Sequence, residues 1–173
     1  MRKKAILIID MLKDFVIKGA PLEVSAARRI ADNIKLQIDK ARGDGIPVIY
    51  VCDSHRTDDP EFRVWPVHAV CGTEGAEIVD EIMPEKGDII IQKKTYSGFF
   101  ETELDEVLKR LGIEEVILTG VCTEICVLYT AADAYMRGYS VTVHEDCVAG
   151  LNEDDHRFAL KQIRDVLKPR PRE

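Results

Sequence analysis

Cys122 and Cys126 lie four residues apart in TGVCTEICVLYTAADAYMRG (119–138), where a strand pattern gives way to a helical one. The chemistry open to such a thiol is nucleophilic attack, and the thiolate is the reactive form. Three features could favour it: the positive end of a helix dipole, a cation at Lys93, and Asp10 as an acceptor that could pass the thiol proton to a leaving amine. Cys126 falls in the first turn of the expected helix, with its side chain able to face the strand ends. Cys122 falls at the strand-to-loop junction, where its backbone N–H is the more useful group. N–H groups around such a turn could form an oxyanion hole. On residue types alone, a small buried core residue accounts for Cys126 about as well. A redox or structural zinc pair is disfavoured, because no Cys-x-x-Cys occurs.

Asp53-x-His55 followed by His68 forms a second group. Two imidazoles and a carboxylate that leave positions open suit a catalytic divalent ion such as Zn²⁺ or Fe²⁺. On an extended segment Asp53 and His55 share a face, and WPVH with its rigid Pro66 could anchor the return of His68. The plain alternative is that the two histidines are surface residues of a loop. Phe15 and Trp65 are loop aromatics beside these groups, either a hydrophobic plug or a clamp for a flat ring. His144 is expected in the core or at an edge, and His156 in solvent at the start of the last helix.

The elements that must hold these residues follow from periodicity. The continuous apolar run KAILIID (4–10) predicts a strand covered on both faces. Ile30, Ile34, Ile38 and Ala41 at helical spacing predict a helix over 24–42, with Gly43 and Gly45 after it. Further strands are expected at 46–53, 87–93, 113–120 and 139–146, and helices at 74–82, 102–111, 123–138 and 152–167. Residues 54–72 read as a loop and 168–173 as a tail. This alternation implies an α/β chain: a three-layer αβα sandwich with helices on both faces of a Rossmann-like parallel sheet of five to six strands. Ligands of such sheets bind beyond the carboxyl ends of the strands. Asp10, Asp53 with His55, Lys93 with Lys94, and the cysteine stretch each follow a strand, so all are expected at one edge.

Composition narrows the class. A chain of 173 residues fits one domain, 1–173. Its net charge of −7 disfavours nucleic acid and anionic membrane surfaces as partners. No apolar run approaches the roughly 18 residues of a membrane span. The apolar run after the basic start ends at Asp10, too short for a signal core, and the cysteine count of 5 is odd. A cytoplasmic protein without a disulfide framework is expected. No G-x-G-x-x-G follows the first strand, which argues against a dinucleotide or other organic cofactor.

LIIDMLKDF, then VCDSHRTDD with FRVWPVHAVCGTEGAEIVDEI, then the block from IIQKKTYSGFF to YSVTVHEDCVAG, run in that order from about residue 4 to 165. Together they resemble the isochorismatase-like cysteine hydrolases, especially the nicotinamidase/pyrazinamidase branch. The resemblance implies an Asp–Lys–Cys triad at Asp10, Lys93 (rather than Lys94) and Cys126, and a cis peptide between Val121 and Cys122. It implies oxyanion N–H groups from Cys122 and Cys126. It implies a divalent metal, Zn or else Fe or Mn, on Asp53, His55 and His68, holding a pyridine nitrogen with Phe15 and Trp65 beside the ring. Leu12, Ala69 and Cys122 stand where family members often have Gln, Cys and Ala, and none of these replaces a catalytic group. The activity implied is cleavage of a small heteroaromatic amide to acid and ammonia through a Cys126 thioester, in a homodimer or homotetramer. The alternatives are a hydrolase for another small amide, a ureido compound or a vinyl ether, and a non-catalytic binding protein on the same fold.

Overall fold

The computed structural model describes residues 2–168. The first strand, β1 (Lys4–Ile9), is buried along almost its whole length, as its unbroken apolar run requires. A single helical turn, α1 (Lys13–Val16), follows and was not expected. Next come α2 (Ala27–Gly43), β2 (Val48–Asp53), β3 (Ile89–Lys93), α3 (Leu104–Arg110), β4 (Glu115–Val121), α4 (Leu128–Met136), β5 (Ser140–Ala149) and α5 (Glu153–Val166). The strands form one parallel sheet in the order β3-β2-β1-β4-β5. One core packs α2, through Ile30, Ile34 and Ile38, against Ile6, Ile8, Val48 and Tyr50. The other packs α3, through Leu104 and Leu108, and α4, through Ala131 and Ala134, against Leu7, Ile9, Ile49 and Leu118, with Ile163 of α5 at its margin. The expected α/β sandwich with a parallel sheet is therefore the observed fold. No helix among the described residues is long and apolar enough to cross a membrane.

Strand order reverses between β1 and β4, because the chain runs outward from β1 to β3 and then returns to start the other half of the sheet. This switch point opens a crevice at the strand ends. It depends on Gly120, which pairs with Ile9. Gly120 has φ 105°, and a Cβ there would fall 2.0 Å from the Ile9 carbonyl oxygen. That neighbour is backbone and cannot step aside. Gly120→Ala should lower the unfolding free energy by more than about 3 kcal/mol in urea denaturation.

Three expectations change. Residues 74–82 form two 3₁₀ turns, Glu74–Ala76 and Asp80–Ile82, instead of a helix. Long-range pairing wins there: Lys13 N donates to Glu77 O (2.9 Å), Val79 N donates to Met11 O (3.1 Å), and Leu12 bridges Ile78. Strand β5 runs on to Ala149, because Leu118 pairs with Val143 but Gly120 pairs with Val148. The intervening residues bulge out, and half-buried His144 lies in that bulge. The helix expected from 123 opens instead as a wide π turn, Thr123–Val127, in which Ile125 N and Val127 N both donate to Cys122 O (3.1 Å each). The tail expected at 168–173 lies, beyond Lys168, outside the described residues.

Candidate active site

Asp10, the residue after β1, takes a left-handed backbone (φ 50°) that a non-glycine residue adopts only under constraint. Its N–H donates to Val51 O (3.0 Å), and its Oδ1 accepts from Asp53 N (2.8 Å). Asp53 and Lys93 end β2 and β3 as register partners. The Lys93 ammonium lies 2.7 Å from Asp10 Oδ2, 2.5 Å from Asp53 Oδ1 and 3.6 Å from Cys126 Sγ. Asp10, Asp53, Lys93 and Cys126 are all buried. A fully buried charge cluster is costly to desolvate, so it argues for a task more than for stability.

Burial, then the Asp53 carboxylate, lift Asp10 to about 6 in spite of Lys93. Burial would raise Asp53 as well, but Lys93 and the two imidazoles hold it well below the usual carboxylate range. Asp53 is thus the carboxylate that keeps its charge, and Asp10 the one poised to take up a proton. Burial works against the Lys93 charge, yet Asp10 and Asp53 outweigh it and hold the amine well above its ordinary range.

At Cys126 burial opposes the expected influences. Lys93 and the helix terminus were expected to favour the thiolate. Burial pushes the thiol well above its ordinary range, and Lys93 counters this only in part. The resting group is a thiol, and its proton must leave as attack begins. Asp10 is at hand, with a carboxylate oxygen within 4.8 Å of Sγ. Those two residues and Asp53 could also cage a metal, but the Lys93 ammonium already contacts all three. The peptide between Val121 and Cys122 is cis.

The second group also assembles. A carboxylate oxygen of Asp53 and one nitrogen each of His55 and His68 lie within 4.8 Å of one another, close enough to share one ion. Both Nε2 atoms stand 3.7 Å from Asp53 Oδ2, and the buried His55 Nε2 has no hydrogen-bond partner. An orphaned imidazole nitrogen aimed at a carboxylate fits a metal ligand. His68 Nδ1 is 2.7 Å from Pro66 O, a contact that turns the Nε2 lone pair inward. His55 Nδ1 lies 3.1 Å from Asp59 Oδ2, close enough for an ion pair, without a hydrogen bond between them. Asp53 lifts His55 to about 9 against the opposing pull of burial. The return of His68 rests on more than Pro66: His55 bridges Val70, with His55 N donating to Ala69 O (3.0 Å) and Cys71 N to His55 O (2.9 Å).

Asp14 locks that return. Its Oδ2 accepts from Ala69 N (2.8 Å), which holds Ala69 at φ 44° directly after His68. Gly75 leaves room for it, since a Cβ there would fall 2.1 Å from the same carboxylate. Asp14→Ala should therefore weaken zinc binding to the metal-free protein about ten-fold or more, read by titration calorimetry. Lys13→Ala, which removes only the ion pairs to exposed Glu74 and Glu77, should leave it nearly unchanged.

Both groups open on one small cavity. Cys122, Cys126, Asp53 and His68 line it, with Phe15 and Trp65 as expected. Sequence reasoning missed Leu22, Glu61, Tyr96, Ile125 and Leu151, which complete the wall. They sit in loops and turns, where no periodicity marks them; only the nearness of Tyr96 to Lys93 was a signal. Trp65 Nε1–H donates to the Tyr96 hydroxyl (3.0 Å), and Tyr96 stacks on Tyr129. Cys122 lines the cavity too. His156, expected in solvent, is half-buried with Nδ1 2.8 Å from Thr123 Oγ1, tying α5 to the π turn.

A parallel α/β sheet with buried polar residues at its switch point is the architecture of the isochorismatase-like hydrolases. The isochorismatase domain model matches residues 4–169, and the chain belongs to the isochorismatase family of hydrolases. Among solved structures, it is similar to the nicotinamidase/pyrazinamidase PncA of Bacillus subtilis, with 35% identity over 95% of this chain and 96% of that one and a TM-score of 0.91. It is similar to the N-carbamoylsarcosine amidase of Thermoplasma acidophilum, with 38% identity over 93% and 92% and a TM-score of 0.86. It is similar to the pyrazinamidase of Pyrococcus horikoshii solved in complex with zinc, with 32% identity over 94% of each chain and a TM-score of 0.89.

Proposed function

We propose that this hydrolase is a cysteine amidohydrolase that cleaves a small heteroaromatic amide, nicotinamide being the first candidate, to its acid and ammonia. The observation that carries the reading is the Asp10–Lys93–Cys126 cluster in mutual contact at the edge of an aromatic-walled cavity. Cys126 Sγ bonds to the amide carbon while its proton passes to Asp10. The carbonyl oxygen becomes an oxyanion, received by the N–H groups of Cys122 and Cys126. Asp10 then returns the proton to the nitrogen, the C–N bond breaks, and ammonia leaves behind a thioester. Water attacks that thioester, losing a proton to Asp10, and the departing thiolate recovers it. Lys93 fixes Asp10 and offsets the negative charge that develops on sulfur. Phe15 and Trp65 flank the ring.

A divalent ion on Asp53, His55 and His68, Zn²⁺ first with Fe²⁺ or Mn²⁺ as alternatives, would supply a Lewis-acid contact for a ring nitrogen. The donor set and the orphaned His55 Nε2 support this. The zinc-bound pyrazinamidase of similar fold points the same way. The reading takes the protein as a single-domain cytoplasmic homo-oligomer, which light scattering would check. A ureido acid is the second reading, favoured by the 38% identity to the carbamoylsarcosine amidase.

The test is ammonia release from nicotinamide by zinc-loaded protein, with Cys126→Ala alongside. Turnover in the parent and none in the variant is the expected result. Full activity in the variant would overturn the mechanism, and no turnover in the parent would reject the nearest substrate.

A further inference from the structure

We propose that Glu124 is a positioning residue: its carboxylate latches the loop between β5 and α5 to the turn that carries Cys126, and so fixes Leu151 as a wall that limits substrate size. The inference rests on the amidohydrolase reading for the reaction, whereas the latch itself does not depend on it. Glu124 lies in the π turn Thr123–Val127, the same turn as Cys126. Its Oε1 accepts from Leu151 N (2.7 Å). Residues 150–152 cross from the end of β5 to the start of α5. Leu151 lines the cavity, as does Ile125, the neighbour of Glu124 in the π turn. One carboxylate therefore joins the two segments that supply this part of the apolar wall.

The second oxygen, Oε2, is buried and has no hydrogen-bond partner among the described residues. A partnerless carboxylate oxygen costs stability, so the residue is poorly suited to a purely structural role. What it gains is a charge-assisted bond to a single N–H, that of a residue on the cavity wall. Leu151 is 41% exposed, so packing alone holds it weakly. Gly150 makes room for the latch, since a Cβ there would fall 2.3 Å from Glu124 Oε2 and 3.1 Å from its Cδ. Those atoms end a side chain, so an added methyl would displace the carboxylate and leave the backbone in place. His156 Cβ, at 3.0 Å, would yield by only a few tenths of an ångström. The other tie between these segments, His156 Nδ1 to Thr123 Oγ1 (2.8 Å), reaches α5 beyond the loop and leaves Leu151 to Glu124.

Amide hydrogen exchange reads the latch without requiring turnover. The Leu151 N–H should be protected in the parent and should lose about ten-fold or more of that protection in Glu124→Ala and in Gly150→Ala. Glu124→Gln should keep most of it, because its side chain still offers an oxygen to the N–H. Substrate size reads the consequence. Zinc-loaded parent should turn over nicotinamide with a far higher kcat/KM than a ring-methylated nicotinamide. Glu124→Ala and Gly150→Ala should each shrink that preference several-fold, and the double variant should shrink it no further, since both changes break one contact. Labelling of Cys126 by iodoacetamide and by the bulkier N-benzyl-iodoacetamide, followed by peptide mass spectrometry, should shift in the same sense. An unprotected Leu151 N–H in the parent, a Glu124→Gln variant as impaired as Glu124→Ala, or a size preference unchanged in every variant would overturn the proposal. Relaxed labelling without any amide turnover would instead strike the amidohydrolase reading and leave the latch standing. If neither amide turns over and neither reagent labels Cys126, the size limit falls together with that reading.

Discussion

Cys126→Ala should lower kcat on the order of 10⁵-fold while the protein stays folded. In the proposed reaction Sγ forms the only bond to substrate that the protein makes, and no neighbour can replace it. Cys122 lines the same cavity, but it is Cys126 Sγ that lies 3.6 Å from the Lys93 ammonium and within 4.8 Å of an Asp10 oxygen. Removal of a nucleophile that works as a unit with its base costs nearly as much as removal of the whole set. The structural cost is small. Cys126 packs in the core beside Val127 and Ala131, and losing one sulfur atom there costs about 1 kcal/mol. Lys93 keeps both of its carboxylate partners. The variant should therefore still bind nicotinamide in calorimetry, with a melting temperature close to that of the parent. Single-turnover ammonia release checks the chemistry, and residual activity above about 1% of the parent would sink the assignment of the nucleophile.

Lys93→Met should show the opposite pattern, losing stability and activity together. The ammonium is the counterion that Asp10 and Asp53 share, 2.7 Å from one and 2.5 Å from the other. All three groups are buried, so water cannot take its place. Removing one partner from such a cluster costs about 3–5 kcal/mol, because the remaining charges stay buried without compensation. A methionine fills the space but leaves two carboxylates facing each other. Zinc offers a partial remedy, since Asp53 can lean on an ion shared with His55 and His68. Urea denaturation should show a large loss that added zinc reverses in part, whereas activity should not return, because Asp10 keeps no counterion. A stability loss under about 1 kcal/mol, with or without zinc, would mean that the cluster is not the buried ion network described here.

Much of the frame was legible from local pattern. The unbroken apolar run of β1 and the 3.6-residue spacing of Ile30, Ile34 and Ile38 are signals carried by neighbours in the chain. Asp10, Asp53, Lys93 and the cysteine stretch each end or follow a parallel strand, and that alone brings them to one edge. The helix expected over 74–82 shows where such reasoning stops. Its apolar spacing is compatible with a helix, but Met11 and Lys13, more than sixty positions away, claim its backbone hydrogen bonds. Glu61 was invisible for a related reason, since loop residues have no period, and only its nearness to Lys93 marked Tyr96.

The sequence by itself determined which side chains stand at the strand ends, because strand period and turn chemistry act over a few residues. Only the tertiary structure decided what those side chains do to one another. It made Asp53 a shared neighbour of Lys93 and the two histidines, and it turned Glu61 onto the same cavity. It also buried Cys126, and that burial outweighs the Lys93 charge that favours the thiolate. Strand order, burial and the loss of water depend on contacts between distant segments, and those are the terms that set the distances and the proton affinities of the site.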